Sequence, residues 1–191
     1  MAVAVKALLT VDDIDRMLRA GEIDPDAQFE LVDGEILWLS PTHSYHGRIC
    51  TAIIRRLAAF VDSIGAELLD GQAGFMVGEQ HQQLRAPDVA LVSKERLHIL
   101  PADGFATEAP DLAVEILSAD QRTEAYARPK VREYLASGAK LVWLVDPVTR
   151  TVRVYRPGSN DIVVHTEDSD ITLDAIAPGF SARVSSFFPP S

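Results

Sequence analysis

Leu141-Val142-Trp143-Leu144-Val145 carries no polar side chain at any position, so a strand built from it must be covered on both faces. Upstream, Leu112-Ala113-Val114-Glu115-Ile116-Leu117 has the same character except for one acid. Between the two lies a helix-length segment containing Lys130-Val131-Arg132-Glu133-Tyr134-Leu135. This strand, helix, strand order has antiparallel hairpin signals on either side of it in the chain. It predicts an α/β fold: a mixed β-sheet flanked by helices, with antiparallel hairpins at both ends.

The other elements follow from periodicity and punctuation. Thr10 before Val11-Asp12-Asp13-Ile14 marks a helix start with acids in the first turn, where the macrodipole favours them. Asp33-Gly34 between Phe29–Val32 and Glu35–Leu39 is a tight-turn hairpin signature. From Ser44, the residues Ile49, Ile53, Leu57, Phe60 and Ile64 recur every three or four positions, one stripe of a long helix closed by Gly65. A strand is expected around Phe75-Met76-Val77, followed by a polar loop from Gly78 to Arg85, a strand after Pro87-Asp88, and a short helix near Lys94–Leu100. After the Asp146-Pro147 turn, Thr151–Arg156 alternates as a hairpin partner of the preceding apolar strand, and Ile162–His165 extends the antiparallel part. Pro129 predicts that the helix bearing Lys130 either begins near Arg128 or is kinked there.

With 191 residues, 47% of them apolar, the chain fits a single domain, 1–191. No run approaches the length of a membrane span, so a soluble, cytoplasmic protein is expected. Cys50 is the only cysteine, which rules out an internal disulfide and a thiolate zinc site. Five scattered histidines, with only His43 and His46 close together, make zinc improbable. There is no phosphate loop of the Walker type, no nucleophile elbow and no dinucleotide fingerprint. The formal charge of -10 argues against sequence-independent attraction to DNA. The middle of the chain is nevertheless comparatively basic, with Arg48, Arg55 and Arg56 on one helix and Arg122, Arg128, Lys130, Arg132 and Lys140 around another.

Asp88 and Glu115 each place one carboxylate in an apolar strand. Removing an ionised carboxylate from water costs several kcal/mol unless a cation compensates it. If the two strands are neighbours, the carboxylates converge, which suits magnesium: it binds through one or two carboxylates and keeps several waters. Lys130 completes an acid, acid, base order. Taken singly, Asp88 could cap a strand, Glu115 face solvent and Lys130 lie on the surface.

Together the residues resemble the PD-(D/E)XK nuclease superfamily and, more narrowly, its Uma-two family. The resemblance covers roughly residues 28–188 and leaves 1–27 as an N-terminal helical extension. It is carried by Phe29-Glu30-Leu31-Val32-Asp33-Gly34-Glu35, Ser40-Pro41, His46, Pro87-Asp88, Val114-Glu115-Ile116-Leu117-Ser118, Lys130, Tyr134, Gly138 and Val142–Pro147. It implies a restriction-endonuclease-like fold and a Mg2+ ion, for which Mn2+ serves as surrogate, held by Asp88, Glu115 and the carbonyl of Ile116. In the superfamily the lysine usually follows the second acid by two residues, where this chain has Leu117. The family resembled places it on the next helix, at Lys130, as base or water-positioner. Glu30 resembles an acid that precedes the core motif, able to hold a metal through water or to orient Lys130, and His46 is a further polar candidate. Glu30 could equally be the exposed partner in its strand, His46 decoration of a helix turn, and Tyr134 a core residue with its hydroxyl at the boundary.

The leading expectation is a magnesium-dependent endonuclease that hydrolyses DNA phosphodiester bonds with a metal-activated water. The rivals are a non-catalytic binding or interaction module on the same fold and a metal-dependent phosphohydrolase of small esters. A homodimer is compatible with cutting both strands of a duplex.

Overall fold

The computed structural model describes residues 8–79, 82–118 and 124–190. His81 and Arg122, both noted in the sequence, lie outside them. Twelve strands and three α-helices occur in the described residues, in the order α1 (Val11–Arg19), β1 (Phe29–Val32), β2 (Glu35–Trp38), α2 (Ser44–Ile64), β3 (Glu67–Asp70), β4 (Phe75–Val77), β5 (Gln83–Arg85), β6 (Val89–Val92), β7 (Leu112–Ile116), α3 (Glu124–Ala136), β8 (Leu141–Asp146), β9 (Thr151–Tyr155), β10 (Val163–His165), β11 (Asp170–Thr172) and β12 (Ser181–Arg183). The expected short helix near residue 94 is a 3-10 turn over Lys94–Ile99.

A six-stranded sheet runs β10-β9-β8-β7-β6-β3. Only β7 and β8 are parallel, joined through α3, and every other pair is antiparallel. The apolar run at 141–145 therefore occupies an inner strand, and all six residues of β8 are buried. Side-chain alternation divides the core in two. Val89, Leu91, Leu112, Val114, Ile116, Trp143 and Val145 meet Ile49, Ile53, Leu57 and Val61 of α2. On the other face, Ala90, Val92, Ala113, Val142 and Leu144 meet Ala127, Val131 and Tyr134 of α3. Each fully buried aliphatic side chain contributes about 1.5–3 kcal/mol of transfer free energy, so the α2 stripe alone anchors that helix firmly. Gly65 ends α2 in the left-handed conformation, φ 66°, as the sequence predicts.

The first hairpin does not join this sheet. It heads a separate four-stranded antiparallel sheet, β2-β1-β5-β4. Its turn has φ 49° at Asp33 and 76° at Gly34, the double positive φ that an Asp-Gly turn supplies. The stretch read as a polar loop contains β5, whose Leu84 is buried while neighbouring positions are polar, a pattern too short to register as alternation. Likewise β3, absent from the sequence reading, is four residues long with both ends exposed. The capping box at Thr10 and Asp13 starts α1, and Val11 and Ile14 pack with Leu31 and Leu84 onto the smaller sheet.

The helix bearing Lys130 already includes Glu124, earlier than the start near Arg128, and runs through Pro129. The N–H that proline lacks would have bonded a carbonyl four residues back, in the first turn of the described helix, where interruption costs less than in its middle. Among the described residues no helix is long and apolar enough to cross a membrane.

Candidate active site

Strands β6 and β7 pair antiparallel with Val89 opposite Val114. One step further along that register, Asp88 stands opposite Glu115. The extended lead-in imposed by Pro87 leaves Asp88 just before the strand, at the end of the sheet. There Asp88 Oδ2 accepts the N–H of Ile116 at 2.7 Å. His46, in the first turn of α2, reaches the same end of the sheet, its Nε2 3.3 Å from Asp88 Oδ2. Burial lowers the His46 pKa, but the bond and charge of Asp88, with a bond to the Ile116 backbone, outweigh burial and raise it.

Glu115 points to the α3 side of the sheet, where Lys130 and Tyr134 face it from one helix flank, four residues apart. Lys130 Nζ lies 2.9 Å from Glu115 Oε2, and the Tyr134 hydroxyl donates to Glu115 Oε1 at 2.8 Å. Lys130 Nζ is also 3.0 Å from Glu30 Oε1. Glu30 is 1% exposed, so it is not the solvent-facing partner in its strand. Its other oxygen accepts Arg85 Nη1 at 2.8 Å, and the Ala86 N–H reaches Oε1 at 3.3 Å. Arg85 then grips Glu133 with two bonds, 2.7 Å from Nε and 3.1 Å from Nη2. A continuous chain, Asp88 aside, runs Tyr134–Glu115–Lys130–Glu30–Arg85–Glu133, drawing on both sheets and α3.

Sequence reasoning thus brought Asp88, Glu115, Lys130, Glu30 and His46 to one region, and the structure assembles all five there. It missed Arg85 and Glu133, and left the Tyr134 hydroxyl at a boundary when it lies fully buried against Glu115. The signal for Glu133 and Tyr134 was their spacing of three and four from Lys130. For Arg85 it was an arginine flanked by Leu84 and Ala86 directly before Pro87-Asp88. Cys50 is half-buried and its thiol donates to the Asp88 carbonyl at 3.4 Å.

The electrostatics are set by burial against neighbouring charge. Burial pushes the Glu115 carboxyl up to about 7; the charges of Asp88 and Glu30 add to this while Lys130 opposes it. For Glu30 burial also raises, but the charges and bonds of Lys130 and Arg85 prevail and hold it below its ordinary value. Lys130 is held above its ordinary value because Glu115 and Glu30 outweigh its burial, so it remains an ammonium. Among the described residues, Asp88, Glu115, Glu30 and Glu133 set four carboxylates against the two permanent cations Lys130 and Arg85. His46 adds a titratable cation beside Asp88, and burial together with the remaining excess of carboxylates is what raises Glu115. Among the described residues no three His, Cys, Asp or Glu side chains converge as a metal cage. The carboxylates of Asp88 and Glu115 are donors of the type that hard, oxygen-preferring cations such as magnesium take.

The chain belongs to the Uma2 family: the family model, described as "Putative restriction endonuclease", matches residues 11–185. A crystal structure titled as a putative nuclease belonging to DUF820, from Anabaena variabilis, superposes with a TM-score of 0.73 at 22% identity, covering 94% of this chain and 97% of that one. That likeness establishes a shared fold. No curated protein matches the chain.

Proposed function

We propose that this protein is a magnesium-dependent endonuclease that hydrolyses DNA phosphodiester bonds. The observation that carries the reading is the placement of Asp88 directly across from Glu115 on adjoining strands, with the Lys130 ammonium 2.9 Å from Glu115. Asp88, Glu115 and the carbonyl of Ile116 would hold the ion, which when bound supplies Lewis-acid polarisation of a phosphate and a lowered pKa for water. Lys130, held between two glutamates, is placed to orient water and offset phosphate charge. Tyr134 fixes the Glu115 carboxylate, while Arg85 fixes Glu30 and through it Lys130. His46 contacts both Asp88 and the Ile116 backbone, and so controls access to two of the three oxygen donors.

The test begins with Mn2+ titrated calorimetrically into the wild type and Asp88→Ala, followed by nicking of supercoiled plasmid in Mg2+ or Mn2+. Binding and nicking by the wild type, both lost in the variant, are expected. A wild type that binds no ion even with DNA present would refute the proposal. The charge of -10 favours one second reading, hydrolysis of small phosphoesters. DNA binding should weaken steeply with salt, whereas turnover of a small ester should not.

A further inference from the structure

The Lys130 ammonium does not merely sit near the acids; it bridges them. Nζ is 2.9 Å from Glu115 Oε2 and 3.0 Å from Glu30 Oε1. One glutamate comes from the large sheet and the other from the small one, and both are nearly withdrawn from water. The far oxygens are already committed, Glu115 Oε1 to the Tyr134 hydroxyl and Glu30 Oε2 to Arg85. The two near oxygens therefore face one another across a single cation. A divalent ion bound there would approach its oxygens to about 2.1 Å, and it cannot share that space with the ammonium. Arg85 offers no substitute, because its guanidinium lies on the other side of Glu30, shared with Glu133.

We propose that Lys130 permanently occupies a second cation position. The centre then takes one divalent ion, at Asp88 and Glu115, and removing the ammonium while keeping both glutamates turns it into a two-ion centre. This inference rests on the reading that Asp88 and Glu115 hold an ion. Deleting Lys130 leaves two facing buried carboxylates without their shared cation, and a small side chain in its place gives a hydrated ion room to enter.

The experiment is a Mn2+ titration of the full chain by calorimetry and electron paramagnetic resonance, on the wild type, Lys130→Ala and the double variant Glu30→Gln/Lys130→Ala. Circular dichroism verifies that each is folded. The wild type should bind one ion per chain. Lys130→Ala should bind two, with loss of the isolated-ion Mn2+ signal by spin coupling as the second enters. The double variant should return to one. Two ions in the wild type, or one in Lys130→Ala beside one in the wild type, would overturn the inference while leaving the metal reading intact. No ion in any form would overturn both. If Lys130→Ala does not fold, Lys130→Asn, whose amide oxygen can itself ligate, is judged by the same stoichiometry.

Discussion

Replacing Arg85 by methionine keeps the volume of the side chain and removes its charge. Three charge-assisted bonds disappear, one to Glu30 and two to Glu133. Breaking a buried pair by removing one partner costs about 3–5 kcal/mol. Here Glu133 is 19% exposed and can turn to water, while Glu30 keeps Lys130 and the Ala86 N–H. The cost should therefore fall at the lower end, about 3 kcal/mol, or about 6–12 °C in Tm for a domain of this size. Urea unfolding should show it at neutral pH. The gap between variant and wild type should narrow on acidification. Glu30 has a depressed folded pKa, so its stabilisation is present above the ordinary carboxylate range and is lost as pH falls through the folded value. Removing Arg85 takes away part of that depression. Adding Glu30→Gln should recover part of the lost stability. A variant within about 1 kcal/mol of wild type at neutral pH, or a gap that widens with acid, would refute this account of the network.

Tyr134→Phe should cost about 1.5–3 kcal/mol in unfolding and weaken Mn2+ binding by about tenfold or more, since Glu115 loses the donor that orients it; unchanged affinity in calorimetry would count against that role. Because the folded Glu115 pKa is raised to about 7, its contribution to metal-free stability is full below the ordinary carboxylate value and declines as pH rises through about 7. At ~1.4 kcal/mol per unit the decline is at most about 3–4 kcal/mol, read from urea midpoints across pH; saturating Mn2+ should abolish it, and Glu115→Gln should lack it. Gly65→Ala should destabilise by about 1–2 kcal/mol through the left-handed backbone alone, since the new Cβ would meet only the flexible Lys94 side chain, at 3.4 Å and beyond; a neutral result in thermal melts would show that the cap relaxes.

What could be read from the sequence was whatever repeats with a period or is marked by a turn. The α2 stripe, the Asp33-Gly34 hairpin and the unbroken apolar run of β8 each offer several concordant residues. Strands β3 and β5 do not: four and three residues, with polar side chains at their ends, carry too little pattern. Their loss from the reading hid the division into two sheets and, with it, Arg85. The acids fared better because an isolated carboxylate in an apolar run demands an explanation whatever the fold. The partners of Arg85 lie 55 and 48 residues away, and only tertiary structure brings them together.

Glu30 and Arg85 belong to the small sheet, Asp88 stands at the edge of the large one with Glu115 within it, and Lys130 rides on α3, so the charged centre is also the seam between the two halves of the molecule. Chemistry at such a seam is hostage to its closure. Opening of the small sheet by a local fluctuation would strip Lys130 of Glu30 and Arg85 of Glu133 while the α2-covered sheet stays folded, so the proposed activity should vanish on heating before the bulk of the secondary structure does. The bonds that order these carboxylates are the same ones that report whether the protein is assembled.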